Sequence, residues 1–196
     1  MKSINIAFPN ETYKIFDKMI GKNFVKFSCN KFIYSNSAYG IVGIYIDDDV
    51  YKITNFIDVV DYYGKLEDVA VFKIEKADKK EIVSAIQDEE MNDNPIRRII
   101  KKIEVVNENQ IQYKNGEILY NNWVTRGLIF YFDDGTELSF EKDIWFSEDI
   151  CIERGKNLID KFSSTDEFSE AWEPEIAGEP SEYSGRATRE AIIFTN

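Results

Sequence analysis

Residues 117–140, EILYNNWVTRGLIFYFDDGTELSF, constrain the fold more than any other stretch of this chain. β-Branched and aromatic side chains dominate, and Asp134-Gly135 interrupts them with a residue pair suited to a tight turn. The order is strand, bend, long strand, turn and returning strand. A chain with this at its centre is expected to build antiparallel sheet.

A fainter copy lies 86 residues earlier, over residues 31–53. At that offset Asn23 meets Asn109, Tyr34 meets Tyr120, Asn36 meets Asn122, Tyr45 meets Tyr131, and Asp47-Asp48 meets Asp133-Asp134. The apolar positions keep their parity, as strands require, because a slip of one residue turns every side chain to the other face. A second echo sets residues 67–71 against 148–152. We therefore expect an internal duplication of one β unit, with Pro95 near the boundary of two halves, 1–94 and 95–196.

The turns support the same expectation. Asn115-Gly116 suits a type I′ hairpin, which needs positive φ at both residues, and Cys29-Asn30 holds the equivalent place in the first copy. Asp48-Asp49 stands opposite Asp134-Gly135 and is a poorer turn pair, so the first hairpin is expected to be looser. Helical spacing of Tyr13, Phe16, Met19 and Ile20, stopped by Gly21, predicts an N-terminal helix capped by Asn10. Asp78 and Glu81 predict a capping box opening a second helix over residues 78–86. A strand is expected at 99–106, short helical pieces at 157–162 and 166–172, and a C-terminal apolar segment, 188–194, that docks on the body or on a neighbouring subunit. The fold class is α+β, predominantly antiparallel, in two meander units with short flanking helices. A single fused sheet or barrel is the alternative.

Composition narrows function mainly by exclusion. The chain has no histidine, which removes Ser-His and Cys-His nucleophile pairs, histidine general bases and most zinc sites. No GxxxxGK[ST] or GxGxxG motif is present. Two cysteines without CxxC spacing, Cys29 and Cys151, read as thiols among strand residues. With 24 basic and 36 acidic residues the formal charge is −12, which repels nucleic-acid phosphates and attracts basic partners. The basic cluster Arg97, Arg98, Lys101 and Lys102 is expected to pair with the protein's own carboxylates. No secretory signal or membrane-length apolar run is visible, so a cytoplasmic location is expected.

What remains is carboxylate and aromatic chemistry. Asp47, Asp48, Asp49, Asp133 and Asp134 fall at hairpin tips, where turn preference alone explains aspartate, and Glu148-Asp149 opens a strand. Arg126 precedes a strongly apolar strand and is expected to pair with a carboxylate from a neighbouring strand or to serve as a contact residue. Trp123, Trp145 and Trp172 lie in the second half, and Trp145 is the candidate anchor beside Phe146. These features predict a non-catalytic acidic protein with no cofactor and no resident metal. Its partner is expected to be a protein, engaged through a negative surface in the manner of inhibitors, immunity proteins or DNA mimics. A metal-assisted carboxylate enzyme, a Ca²⁺- or Mg²⁺-binding module and a subunit of a homo-oligomer or other assembly are the competing expectations.

Overall fold

A computed structural model of the chain describes residues 2–31, 36–61, 66–143, 146–171 and 181–195. The elements are β1 (Lys2–Ile6), α1 (Asn10–Asp17), β2 (Asn23–Cys29), β3 (Ser37–Tyr39), β4 (Ile41–Ile46), β5 (Asp49–Asp61) and β6 (Leu66–Lys76). They continue with β7 (Asn92–Lys114), β8 (Glu117–Phe132), β9 (Glu137–Lys142), β10 (Asp149–Gly155), α2 (Asp166–Glu170) and β11 (Tyr183–Thr195). Two 3₁₀ turns, Lys79–Glu81 and Leu158–Lys161, complete them. The described residues are mostly antiparallel sheet with two short α-helices, in keeping with the α+β expectation.

The strands form one sheet in the order β3-β10-β9-β8-β7-β2-β4-β5-β6, with β1 parallel to β8 and β11 antiparallel to β7. Two antiparallel runs, β2-β4-β5-β6 and β7-β8-β9-β10, meet where β2 pairs with β7. Only Gly40 separates β3, at one end of this order, from β4 in the other run, so the sheet curls round an interior. Gly40 has φ +70, donates to the Glu148 carbonyl and accepts from the Asn55 amide, each at 2.9 Å. A Cβ there would lie 2.4 Å from the Phe56 ring, so both the backbone angle and the space require glycine.

The interior is aromatic. Phe24 of β2 meets Phe130 and Phe132 of β8 edge-on at 5.1 and 5.6 Å, and Phe27 meets Phe140 of β9 at 5.8 Å. The two runs are thus joined through side chains as well as through the β2–β7 ladder. A second packing layer sets Phe8 and Phe16 of the α1 region against Phe72 of β6 and Phe194 of β11. The same core cluster takes residues from both sides of Pro95, and β7 runs through that position from Asn92.

Tertiary context shaped several local elements. Asn115 and Gly116 have φ +50 and +82, as a type I′ hairpin requires. The expected Asp48-Asp49 turn is displaced by one residue: Ile46 pairs with Asp49, leaving Asp47-Asp48 as the loop with positive φ at Asp47. Cys29-Asn30 makes no hairpin, because β2 pairs with β4 and β7, and the Asn30 side chain instead bonds the Tyr39 backbone on both sides. The expected strand at 31–34 falls almost wholly outside the described residues. The Asp78–Glu81 capping box forms, but the helix stops after one turn. Ile82 is pulled into the core against Gly43, and the β-branched pair Ile82-Val83 offers the helix little resistance to that pull. Pro9 takes the cap position expected of Asn10, which becomes the first helical residue.

Tyr45 and Tyr131 each stand just before an aspartate turn, but the returning strands differ by one residue: Tyr45 faces Val50, whereas Tyr131 faces Glu137 and not Thr136. The preceding strands do not share a register. Phe27 faces Ile44, whereas Tyr113 faces Ile118, and Phe130 faces Ile103.

Candidate functional site

The acidic residues singled out by sequence fall at two ends of the sheet. Asp47-Asp48 and Asp133-Asp134 lie on one rim, because Asp47 donates its amide to the Asn23 carbonyl, Asp133 donates to Ile99, and Asn23 pairs with Ile99. Two strands, β2 and β7, separate the tips, which sets them about 14 Å apart at the usual strand spacing. The rim is mixed in charge. Asp134 binds Arg98 at 2.5 Å, and Asp49 binds Lys22 at 3.1 Å and Lys76 at 2.7 Å. These contacts hold the Asp49 and Asp134 carboxyls below the usual range, the Thr136 hydroxyl contributing most at Asp134.

Glu148 and Asp149 sit at the opposite end, where the β3–β4 bend meets β10. Glu148 accepts the Tyr39 hydroxyl and, at 2.8 Å, the Ile57 amide, so it fastens the closure of the sheet. Trp145 and Trp172 lie outside the described residues. Trp123 is half-buried. Of the basic cluster, Arg98 pairs with Asp134 and Lys102 with Glu104 at 3.0 Å. Burial raises both thiols, Cys29 and Cys151, to about 11, and neither forms a disulfide.

Arg126 proves to be the centre of a buried ionic cluster. The β7–β8 register passes from Val106↔Gly127 to Asn107↔Thr125, so Arg126 is the extra residue of a β-bulge. That extra residue turns the guanidinium to the outer face of the sheet, where Glu108 of β7 and Glu141 of β9 stand on either side. Arg126 Nη2 donates to Glu141 Oε1 at 3.0 Å, and its Nε lies 3.9 Å from Glu108 Oε2, within charge contact but beyond a hydrogen bond. Glu108 also accepts from Arg189 of β11 at 3.1 Å and from Gln110 at 2.6 Å. All of Glu108, Gln110, Arg126 and Glu141 are under one-tenth exposed.

Residues after β10 cross this face and are held by its carboxylates. Leu158 donates its amide to Glu137 at 2.7 Å, Ser163 donates to Glu141 at 3.0 Å, and Arg189 donates to the Ser163 carbonyl. Burial is the main cause of a raised Glu141 carboxyl, opposed by Arg126. Along β9, Glu137, Ser139 and Glu141 alternate with Leu138, Phe140 and Lys142, which places Lys142 on the inward side with the aromatic core. Burial and the nearby Arg126 charge lower Lys142 to about 7.

Gly127 makes the bulge possible. A Cβ there would lie 2.3 Å from the Phe140 carbonyl oxygen on β9, a backbone atom that cannot swing aside. Gly127→Ala is expected to cost about 1–3 kcal/mol by overpacking. Chemical denaturation measures this, and an unchanged midpoint would show that β8 and β9 separate freely.

Beside the cluster is a cavity of about 260 Å³, lined by Glu108, Gln110, Arg126, Phe146, Phe168 and Ala171, with Ser164 and Glu167 completing its wall. Among the described residues, Gln110 Oε1 and Arg126 Nε find no hydrogen-bond partner. Sequence reading flagged Arg126 but missed Glu108, Gln110, Glu141, Lys142 and Arg189. The available signal was the alternation of β9, which puts two glutamates on one face.

A different exposed feature is the far end of the β5–β6 hairpin. Opposed residues of an antiparallel pair share a face, so the pairs Ile57↔Ala70, Val59↔Asp68 and Asp61↔Leu66 place Ile57, Val59 and Leu66 in one stripe with Asp61 and Asp68. The three apolar side chains are 46%, 58% and 75% exposed. β6 ends the strand order, and among the described residues no strand pairs along its outer edge.

Comparison with protein-family models, curated proteins and solved structures found no match. Among the described residues no group of three or more Asp, Glu or Cys side chains is placed to hold a metal ion, and no helix is long and apolar enough to cross a membrane.

Proposed function

We propose that this chain is a non-catalytic acidic binding protein that engages a basic protein partner, in the manner of an inhibitor, immunity protein or DNA mimic. The observation that carries this reading is the β5–β6 stripe, where Ile57, Val59 and Leu66 stand exposed on one face beside Asp61 and Asp68. Apolar anchors within a charged border are the arrangement that protein interfaces use. The outer edge of β6 can accept a strand from a partner. At the far end of β6 Glu67 and Asp68 resist pairing with a second copy of the same edge, so an occupant there must bring positive charge. A formal charge of −12 speeds the encounter with such a partner.

A cytoplasmic setting and an origin by duplication belong to the same reading. The duplication draws support from the like strand order of the two runs and the aspartate turns after Tyr45 and Tyr131, and the differing registers of the strands weigh against it.

The test is capture of a basic protein from lysate, followed by binding of the purified pair. Affinity is expected to fall at least about tenfold between low and high salt. The variant Asp61→Asn/Asp68→Asn is expected to reduce the salt dependence, and Val59→Ser/Leu66→Ser to weaken binding at every ionic strength. Binding that ignores salt, or that survives both variants, overturns the proposal.

A further inference from the structure

A pocket on the mixed-charge rim, at the opposite end of β5–β6 from the exposed stripe, carries an inference independent of that stripe. Its volume is about 420 Å³, and it is lined by Ile15, Lys18, Lys22, Asp49, Tyr51 and Lys76. Local pairing fixes its walls. Gly21 donates its amide to the Ile100 carbonyl and Ile100 donates back to Lys22, both at 2.9 Å, which ties the residues after α1 to β7. Asp49 and Tyr51 alternate along β5 and so share a face, and Lys76 of β6 pairs opposite Tyr51 on that face.

The charges set this place apart in an acidic chain. Three ammonium groups surround one carboxylate. Asp49 bonds Lys22 at 3.1 Å and Lys76 at 2.7 Å through different oxygens, and Lys18 has no carboxylate within ion-pair distance among the described residues. Asp47 acts on Lys22 more weakly than Asp49 does. Positive charge is therefore left over, and at about 0.15 M salt the remaining negative charges of the chain are screened beyond roughly 8 Å.

Tyr51 supplies an independent observation. The residue is 4% exposed, and among the described residues its hydroxyl has no hydrogen-bond partner. That oxygen is not one of the unpaired polar atoms sealed from solvent, as Gln110 Oε1 and Arg126 Nε are, so it opens onto the pocket that the residue lines. Burial first, and then the Asp49 carboxylate, push the phenol up, while Lys22 and Lys76 oppose them. The hydroxyl thus stands among these charges and keeps its proton at neutral pH, as a donor without an acceptor.

We propose that this pocket binds a small-molecule phosphate monoester, whose phosphoryl oxygens accept from Lys22 Nζ, Lys76 Nζ and the Tyr51 hydroxyl while Lys18 adds its charge. A phosphate monoester brings nearly two negative charges and three acceptor oxygens, which matches that set of donors. The volume leaves room for an organic body, and Ile15 and the Tyr51 ring give it apolar surface.

Titration calorimetry with phenyl phosphate, phenyl sulfate and benzyl alcohol tests the assignment. Phenyl phosphate is expected to bind with a dissociation constant on the order of 1 mM, the range open to so small a molecule. Phenyl sulfate carries a single charge and is expected to bind at least about fivefold more weakly, and benzyl alcohol not measurably. Tyr51→Phe removes only the hydroxyl and is expected to weaken phenyl phosphate about tenfold, with folding checked by circular dichroism. Should that variant fail to fold, the exposed Lys18→Gln serves in its place and is expected to weaken binding about threefold. Acetyl-phosphoserine amide separates the sources of the phosphate: weaker binding than phenyl phosphate supports a free small molecule, and tighter binding assigns a modified protein and overturns the small-molecule occupant. No saturation by phenyl phosphate at about ten times the expected constant, equal affinity for phenyl sulfate, or full affinity in the folded variant also overturns the proposal.

Discussion

Replacing Arg126 by methionine is expected to cost about 3–5 kcal/mol at pH 7.5, because it strands carboxylates that the fold has already taken out of water. Glu141 loses its 3.0 Å partner and, among the described residues, keeps one hydrogen bond, from the Ser163 amide, whereas Glu108 retains Arg189 and Gln110. The deficit therefore belongs mainly to Glu141, and its pH dependence follows. The Glu141 carboxyl is already raised by burial, and removing the guanidinium raises it further. A carboxyl whose folded value exceeds its unfolded one loses stability as pH climbs from the unfolded value through the folded value. The variant should thus lie closer to wild type at pH 5 than at pH 7.5. Adding Glu141→Gln to Arg126→Met should recover most of the loss at pH 7.5. Urea unfolding at the two pH values decides it, and a loss below about 1 kcal/mol at both would mean that the cluster is solvated after all.

Lys142 is expected to work in the opposite sense. Burial and the Arg126 charge lower it from 10.5 to about 7, so at or below neutral pH the folded protein carries an ammonium on the inward side of β9. Between pH 7 and 10.5 the unfolded chain holds this proton and the folded one releases it, so stability from this group rises with pH across that window. At about 1.4 kcal/mol per pH unit the strain below pH 7 is bounded near 4–5 kcal/mol. Lys142→Met keeps the length of the chain, removes the charge and gives up contacts that include a 3.2 Å bond to the Asp143 carbonyl. A net gain of about 2–4 kcal/mol at pH 6–7 is expected, shrinking toward zero by pH 10. The raised Cys29, Cys151 and Tyr131 also titrate in alkali, so the measured quantity is the difference between variant and wild type at each pH. A variant that is less stable at every pH would show that the lysine is held by contacts that outweigh its burial.

The Arg126 cluster also shows where reading a sequence stops. An arginine ahead of an apolar strand is odd enough to notice, but the bulge that turns it outward shows only in the β7–β8 register. Its partners are another matter. Glu108 and Glu141 come from strands on either side, and only the β7–β8 and β8–β9 registers place them there. Nothing local distinguishes them from the many solvated glutamates of an acidic chain. The hairpin tips teach the converse. Their aspartates were legible because turn chemistry is local, yet Asp49 and Asp134 are engaged by Lys22, Lys76 and Arg98 on the rim. Residues 78–86 show local preference yielding: the capping box formed, and Ile82 left the helix for the core.

The sequence by itself determined the antiparallel habit, the Asn115-Gly116 hairpin, the N-terminal helix and the absence of histidine chemistry. Each of these depends on residue identity or on neighbours a few positions away. The tertiary structure alone decided that the strands close at Gly40 into one curled sheet, that Arg126 is buried between two glutamates, and that Ile57, Val59 and Leu66 stay exposed. Those outcomes depend on pairings between residues far apart in the chain, and the free energy that selects them is burial shared across the whole core, which no short window of sequence contains.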